Sequence, residues 1–255
     1  MRSSIRICLA QVSSQRGLIA ANMQCHLQAI ELAAQHHADI LVFPELSLSG
    51  YELDLAAELA QEQAYCKAML SQAALKHNVL VIAGCPLPGE DGKAYIGALL
   101  CFPDGKVVTY RKQYLHAGEE QYCLAGDSPC YFDIKGHKVA LAICADFADP
   151  RHVAQARMAG ADIYLASALI TAGGYQADSH ILATIAKQGQ CPVLLANFIG
   201  ETGGWQACGQ SALWDADGQQ VFVADDQPSL IVLDIDAKGA EGRQLHFKNN
   251  EFVEN

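Results

Sequence analysis

The sequence predicts a layered α/β protein, two sheets packed face to face with helices on the outside. Three observations predict it. Apolar runs of strand length alternate with stretches of helical periodicity along most of the chain. The two halves follow one loose plan, each offering strand, helix, strand and then hairpins. Apolar residues make up 51% of the 255 positions and charged residues 18%, which supplies a large core.

The elements follow in order. IRICLAQ (5–11) reads as a buried strand, and 20–37 carries helical spacing through Met23, Leu27 and Ile30. DILVF (39–43) is a second apolar strand. The stretch 54–77 is rich in strong helix formers with apolar residues three and four apart, so it reads as one helix. VLVIAG (79–84) is a third strand. YIGALLCF (95–102), the PDG turn and KVVTYRK (106–112) form a hairpin. The irregular run 113–129 is long enough to suggest a functional loop. YFDI (131–134) pairs with KVALAIC (138–144). Asp149-Pro150 starts a helix, with Asp at the cap and Pro at the first helical position, and Gly160 stops it. DIYLAS (162–167), a helix at 175–189 and PVLLAN (192–197) come next. A hairpin over 211–224 turns at a DG step, and LIVLDI (230–235) reads as the last strand. No linker divides the chain, so a single domain over 1–255 is expected.

The formal net charge is −11, with 28 acidic residues against 17 basic ones. That field repels phosphate backbones, and no basic run marks a membrane surface, so neither nucleic acid nor membrane is an expected partner. The first apolar stretch, about six residues, is too short for a signal-peptide core, and no window approaches a membrane span. Ten cysteines without a CxxC pair fit neither a disulfide framework nor a zinc site, and no metal is expected. Several, such as Cys8 and Cys101, sit in strand-like runs where a thiol behaves as a small hydrophobe. A cytoplasmic protein with reduced thiols is expected.

Three residues fall at strand ends: Glu45 after LVFP, Lys112 after VVTYR and Cys144 after VALAI. In α/β sheets, sites gather beyond the carboxyl ends of strands, so the three side chains can converge there. Their chemistry is complementary. A thiol needs a base or a nearby cation to act as a nucleophile on a carbonyl or nitrile carbon. Glu45 can take that proton and pass it to a leaving amine, and Lys112 can stabilise a thiolate or an oxyanion, with the Ala145 backbone N–H as a second donor. Taken singly, each has an ordinary reading: a core cysteine, a solvated glutamate, a surface lysine.

The segments around these residues resemble the nitrilase superfamily of carbon–nitrogen hydrolases, in its amidase-like branch. LVFPELSLSGY (41–51), YRKQYL (110–115) and VALAICADFADP (139–150) are similar to the family's segments around its catalytic Glu, Lys and Cys, in that order. GEEQYCLAGD (118–127) resembles the loop that carries a second active-site Glu, a position Glu119 takes better than Glu120. PVLLANFIGETGG and GQSALWDADG (192–218) resemble the late strand, glycine loop and hairpin. The resemblance covers nearly the whole chain. It implies a four-layer α-β-β-α sandwich, hydrolysis of a small amide or N-carbamoyl compound by water through a cysteine thioester, no cofactor, and a homodimer or higher homo-oligomer paired through outer helices. It also implies substrate contacts at Tyr114, Ala168 and Leu169. The chain departs from the pattern after the nucleophile, where Ala145 stands for a bulky residue and the FPE step is missing.

Other readings stay open at this level: a true nitrilase, or a catalytically silent binding protein on the same fold. His116 invites a Cys–His pair, against which the Glu and Lys motifs argue. GETGG (200–204) lacks the context of a phosphate loop. Trp205 and Phe198 fit a pocket lining or a core equally well.

Overall fold

Alternation of side chains along the strands sorts the apolar residues into three separate layers of contact. In the computed structural model, residues 3–248 and 251–253 are described. Six strands of the first half, β1 (Ile5–Gln11), β2 (Ile40–Val42), β3 (Leu80–Pro88), β4 (Ala94–Cys101), β5 (Val107–Arg111) and β6 (Cys123–Leu124), build one sheet. A second sheet takes β7 (Cys130–Ile134), β8 (His137–Ile143), β9 (Ile163–Ala168) and β10 (Val193–Asn197). After a separate hairpin of β11 (Ile199–Thr202) and β12 (Trp205–Cys208), the strands β13 (Ala212–Trp214) and β14 (Gln220–Val223) complete that second sheet. β15 (Ser229–Asp236), β16 (Gly239–Lys248) and β17 (Glu251–Val253) return to the first. The sheet orders are β17-β16-β15-β1-β2-β3-β4-β5, with β6 on β4, and β14-β13-β10-β9-β8-β7.

Ile7, Leu9, Ile40, Val42 and Ile82 face Val139, Leu141, Ile143, Leu165 and Leu194 between the sheets. The alternate residues Cys8, Ala10, Leu41 and Val81 point outward and pack on Met23 and Ile30 of α1 (Ile19–Gln35) and Cys66, Leu70 and Ala74 of α3 (Gln63–His77). On the other side Ala140, Ala142, Ala166 and Leu195 meet Ala156 of α5 (Pro150–Met158) and Leu182, Ile185 and Ala186 of α6 (Ala172–Gly189). The result is a four-layer α-β-β-α sandwich, the fold the resemblance implied.

Three elements differ from expectation. The helix read over 54–77 is broken into 3₁₀ turns at Leu53–Leu55 and Ala60–Glu62, a short helix at Ala56–Leu59, and α3. Ala56 and Ala60 belong to the layer between the sheets whereas Cys66 and Leu70 belong to the outer layer, and one straight helix cannot serve both. The strand at 230–235 is not the last: β16 pairs with it from Ser229↔His246 to Asp236↔Gly239. Beyond Leu245, β16 offers few apolar residues, so its pattern is faint. A short helix, α4 in chain order between α3 and α5, spans Ala145–Ala148 directly after Cys144. Among the described residues no helix is long and apolar enough to cross a membrane.

β1, β2 and β3 run parallel, as do β8, β9 and β10. Two antiparallel steps, β3 to β4 and β4 to β5, bring β5 back to the direction of β3. The residues that follow β2, β5 and β8 are therefore all delivered at the carboxyl ends of strands.

Candidate active site

Glu45 sits in a tight turn that begins where β2 ends. Phe43 N–H donates to Ile82 O at 2.8 Å and Leu48 N–H to Gly84 O at 3.0 Å, so β3 holds the turn on both sides. Gly84 is required by close approach, because a Cβ there would stand 2.3 Å from Leu46 N and 2.6 Å from Pro44 O. From α1, the His26 ring stacks on Phe43 with centroids 4.0 Å apart, and its Nε2 lies 2.9 Å from Ser47 Oγ. Burial holds the His26 pKa down, to about 4.

Lys112 is fully buried, with its backbone N–H on Ile96 O at 2.8 Å. Its ammonium donates to Glu45 Oε1 at 2.8 Å and to Glu119 Oε1 at 2.7 Å. Burial lowers its pKa, but the carboxylates of Glu45 and Glu119 outweigh burial and leave it raised, so the lysine is charged. Glu119 is held on both oxygens: Oε1 also accepts the Tyr51 hydroxyl, and Oε2 accepts the His116 N–H at 2.7 Å. Glu45 differs, because its Oε2 is buried without a hydrogen-bond partner. Desolvation raises the Glu45 pKa to about 7, against the opposing pull of Lys112.

Cys144 follows β8 with φ +46° and ψ −109°, a conformation that side chains rarely adopt. The surroundings hold it there. Its N–H donates to Ser167 O at 2.9 Å, its carbonyl accepts Phe147 N–H at 3.0 Å, and its thiol lies 3.8 Å from Leu169 O. Burial, and then the Glu45 charge, push its pKa well up, so the resting group is a thiol. Ser167 ties the two sheets together at this point, since its Oγ donates at 2.8 Å to Phe43 O, two residues before Glu45.

Asp146, two residues later, is fully buried and accepts four hydrogen bonds. They come from Ile143 N–H at 2.9 Å and the Tyr110 hydroxyl at 2.6 Å on Oδ2, and from the N–H groups of Gln113 and Tyr114, both at 2.9 Å, on Oδ1. One carboxylate thus joins the segment that delivers Lys112 to the turn that delivers Cys144.

A cavity of about 330 Å³ opens above these groups. Glu45, Tyr51, Cys144, Ala145, Phe147, Leu169, Ile170, Thr171 and Asp178 line it, together with the exposed His116 and Trp205. Of the residues marked in the sequence, Glu45, Lys112, Glu119, Cys144, Ala145 and Leu169 come together. Tyr114 and Ala168 do not line the cavity. Asp146 fixes the Tyr114 backbone so that its ring lies against Arg151, 4.6 Å from the guanidinium, and Ala168 is fully buried in the outer layer under the helices. Trp205 lines the cavity, half exposed, whereas Phe198 is core. Sequence reasoning missed Tyr51, Asp146, Ser167 and Asp178. The GY step that ends the Glu45 segment was a signal for Tyr51; the others have none before the chain is folded.

A thiol, a carboxylate with one open oxygen and a charged lysine thus converge at the strand ends of a four-layer sandwich. Comparison with known proteins gives the family. Residues 6–244 match the model of the carbon–nitrogen hydrolases. A hydrolase of Pseudomonas protegens, described by its place in the pqqF 5' region, is 30% identical over 251 residues, covering 91% of this chain and 83% of its own. The 2-oxoglutaramate amidase of Bacillus subtilis is 28% identical over 213 residues, covering 82% of each chain. The fold superposes on a cysteine-to-alanine mutant of the Nesterenkonia AN1 amidase from the nitrilase superfamily, with a TM-score of 0.85 at 24% identity over 92% of this chain and 91% of that one. The chain belongs to the carbon–nitrogen hydrolase family.

Proposed function

We propose that Cys144, Glu45 and Lys112 hydrolyse a small amide or N-carbamoyl compound through a thioester. Glu45 Oε2 takes the thiol proton as Cys144 Sγ attacks the carbonyl carbon. The oxyanion is met by the ammonium of Lys112 and by the backbone N–H of Ala145. Lys112 uses two of its three N–H donors on Glu45 and Glu119, which leaves one for the reacting oxygen. Glu45 then protonates the leaving amine, the C–N bond breaks, and a water deprotonated by Glu45 attacks the thioester to release the acid and restore the thiol. Glu119 positions Lys112.

The observation that carries this reading is the unpaired, buried Oε2 of Glu45 on a carboxyl whose pKa rises to about 7 beside a protonated thiol. A base of that strength can both take and return a proton near neutral pH. Ammonia release from a panel of small amides, N-carbamoyl amines and nitriles tests it. Amides turn over, nitriles do not, and Cys144→Ala abolishes turnover; retention of wild-type rates by that variant overturns the assignment.

We further propose a cytoplasmic homodimer. What supports the pairing is the family resemblance together with a groove of about 450 Å³ between α5 and α6, lined by Val153, Arg157, Ile181 and Gln188. Light scattering at micromolar concentration, with Ile181→Glu as the disrupting variant, checks it.

A further inference from the structure

The chemistry above leaves the far end of the substrate unassigned, and one cavity residue bears on it. Asp178, on α6, lines the same cavity as Cys144 and is partly buried, yet among the described residues no hydrogen bond or ion pair holds its carboxylate. Loss of water raises its pKa, and the charge of His116 opposes that shift. A partly desolvated carboxylate that has only long-range help from the exposed His116 ring is stabilised further by a cationic ligand. Trp205 stands on the same cavity with half its surface open, an aromatic face of the kind that attracts ammonium groups. The lining contains no lysine or arginine. Lys112 is fully buried, with two donors on glutamates and the third assigned to the reacting oxygen, so none is left for a substrate carboxylate at the cavity mouth.

We infer that Asp178 and Trp205 select amides whose far end carries an ammonium group, and that amides ending in a carboxylate are disfavoured. An anionic tail would meet Asp178 without a counter-charge, in a protein whose overall charge of −11 opposes its approach. This inference rests on the amidase reading for the identity of the reacting group, and it assigns what that reading leaves open.

Three amides with the same two-methylene spacer separate the possibilities: β-alaninamide, butyramide and succinamate, which end in an ammonium, a methyl and a carboxylate. The wild-type protein is expected to favour β-alaninamide over succinamate by at least about tenfold in kcat/KM at low salt, a ratio that shrinks as salt screens the pair. Asp178→Asn lowers the cation-to-neutral ratio by about tenfold. Asp217→Asn, the same charge change on an exposed turn, leaves that ratio where it was. Calorimetric titration of the three amides into Cys144→Ala reads the same order without turnover. Preference for succinamate, a ratio unmoved by Asp178→Asn, an equal effect of Asp217→Asn, or equal or absent binding of all three overturns the inference. Turnover without charge order removes the inference and leaves the amidase; charge-ordered binding without turnover of any amide removes the amidase and leaves the charge selection.

Discussion

Glu45 and Glu119 flank one ammonium, and the difference between them is a count of hydrogen bonds. Glu119 has partners on both oxygens, while Glu45 has one oxygen open and pays the full cost of burial. Its pKa near 7 predicts the pH profile. In the proposed role Glu45 acts as a base only as carboxylate, so kcat/KM is expected to rise with pH through about 7 and to be lost below it, and Glu45→Gln to remove that limb together with roughly 10²–10⁴ of the rate. A profile flat from pH 5 to 9 contradicts the role. Cys144 is set apart from the other nine thiols by its opening onto the cavity rather than by acidity, since its pKa is raised like those of Cys8 and Cys85. Asp146, with four donors, is a positioning residue. Asp146→Asn replaces an acceptor by a donor on one side, and a loss of about 1–3 kcal/mol in urea unfolding is expected.

At the scale of elements, the site depends on how turns are pinned to neighbouring strands. β3 passes under the Glu45 turn at Gly84, and Gly84→Ala is expected to lower kcat at least about tenfold through displaced geometry, with far-UV circular dichroism unchanged. The contact of α1 with the same turn gives an acid response. His26 has a folded pKa of about 4 against 6.5 when free, so the unfolded chain binds the proton first. Its contribution is present in full above pH 6.5 and is lost as pH falls toward 4, at most about 3 kcal/mol. Wild-type protein should lose thermal stability over that window, and His26→Leu should flatten the dependence. The short helix after Cys144 was not legible in the residues, because four residues cannot display a period. The start of α6 was read late because Gly173 and Gly174 are poor helix formers.

For the whole molecule, the layer between the sheets is the common support of every strand end that carries the site. Leu141 is fully buried in it, and Leu141→Ala is expected to cost about 2–5 kcal/mol of unfolding free energy, measured by chemical denaturation. Ser167 joins the two sheets by a side-chain bond to Phe43 O beside the chemistry. Most of this architecture was legible: the strands of the parallel cores, the hairpin at the PDG turn and the capped helix at Asp149 all appear where apolar alternation and turn residues placed them. The strand β16, between β15 and β17, was not, since few of its residues are apolar and the period-2 signal is weak.

Strand ends at Glu45, Lys112 and Cys144 were determined by sequence alone, because apolar runs, a proline and a capped helix are local signals that survive without a fold. So was the family, through three motifs in one order. Only the tertiary structure decided that Glu45 keeps an open oxygen, that Asp146 and Ser167 bind the segments together, that Tyr114 turns away, and that Asp178 faces the thiol's cavity unpaired. Each of those depends on contacts between residues tens to more than a hundred positions apart, and burial and hydrogen-bond partners at such separations exist only after the sheets have closed on one another.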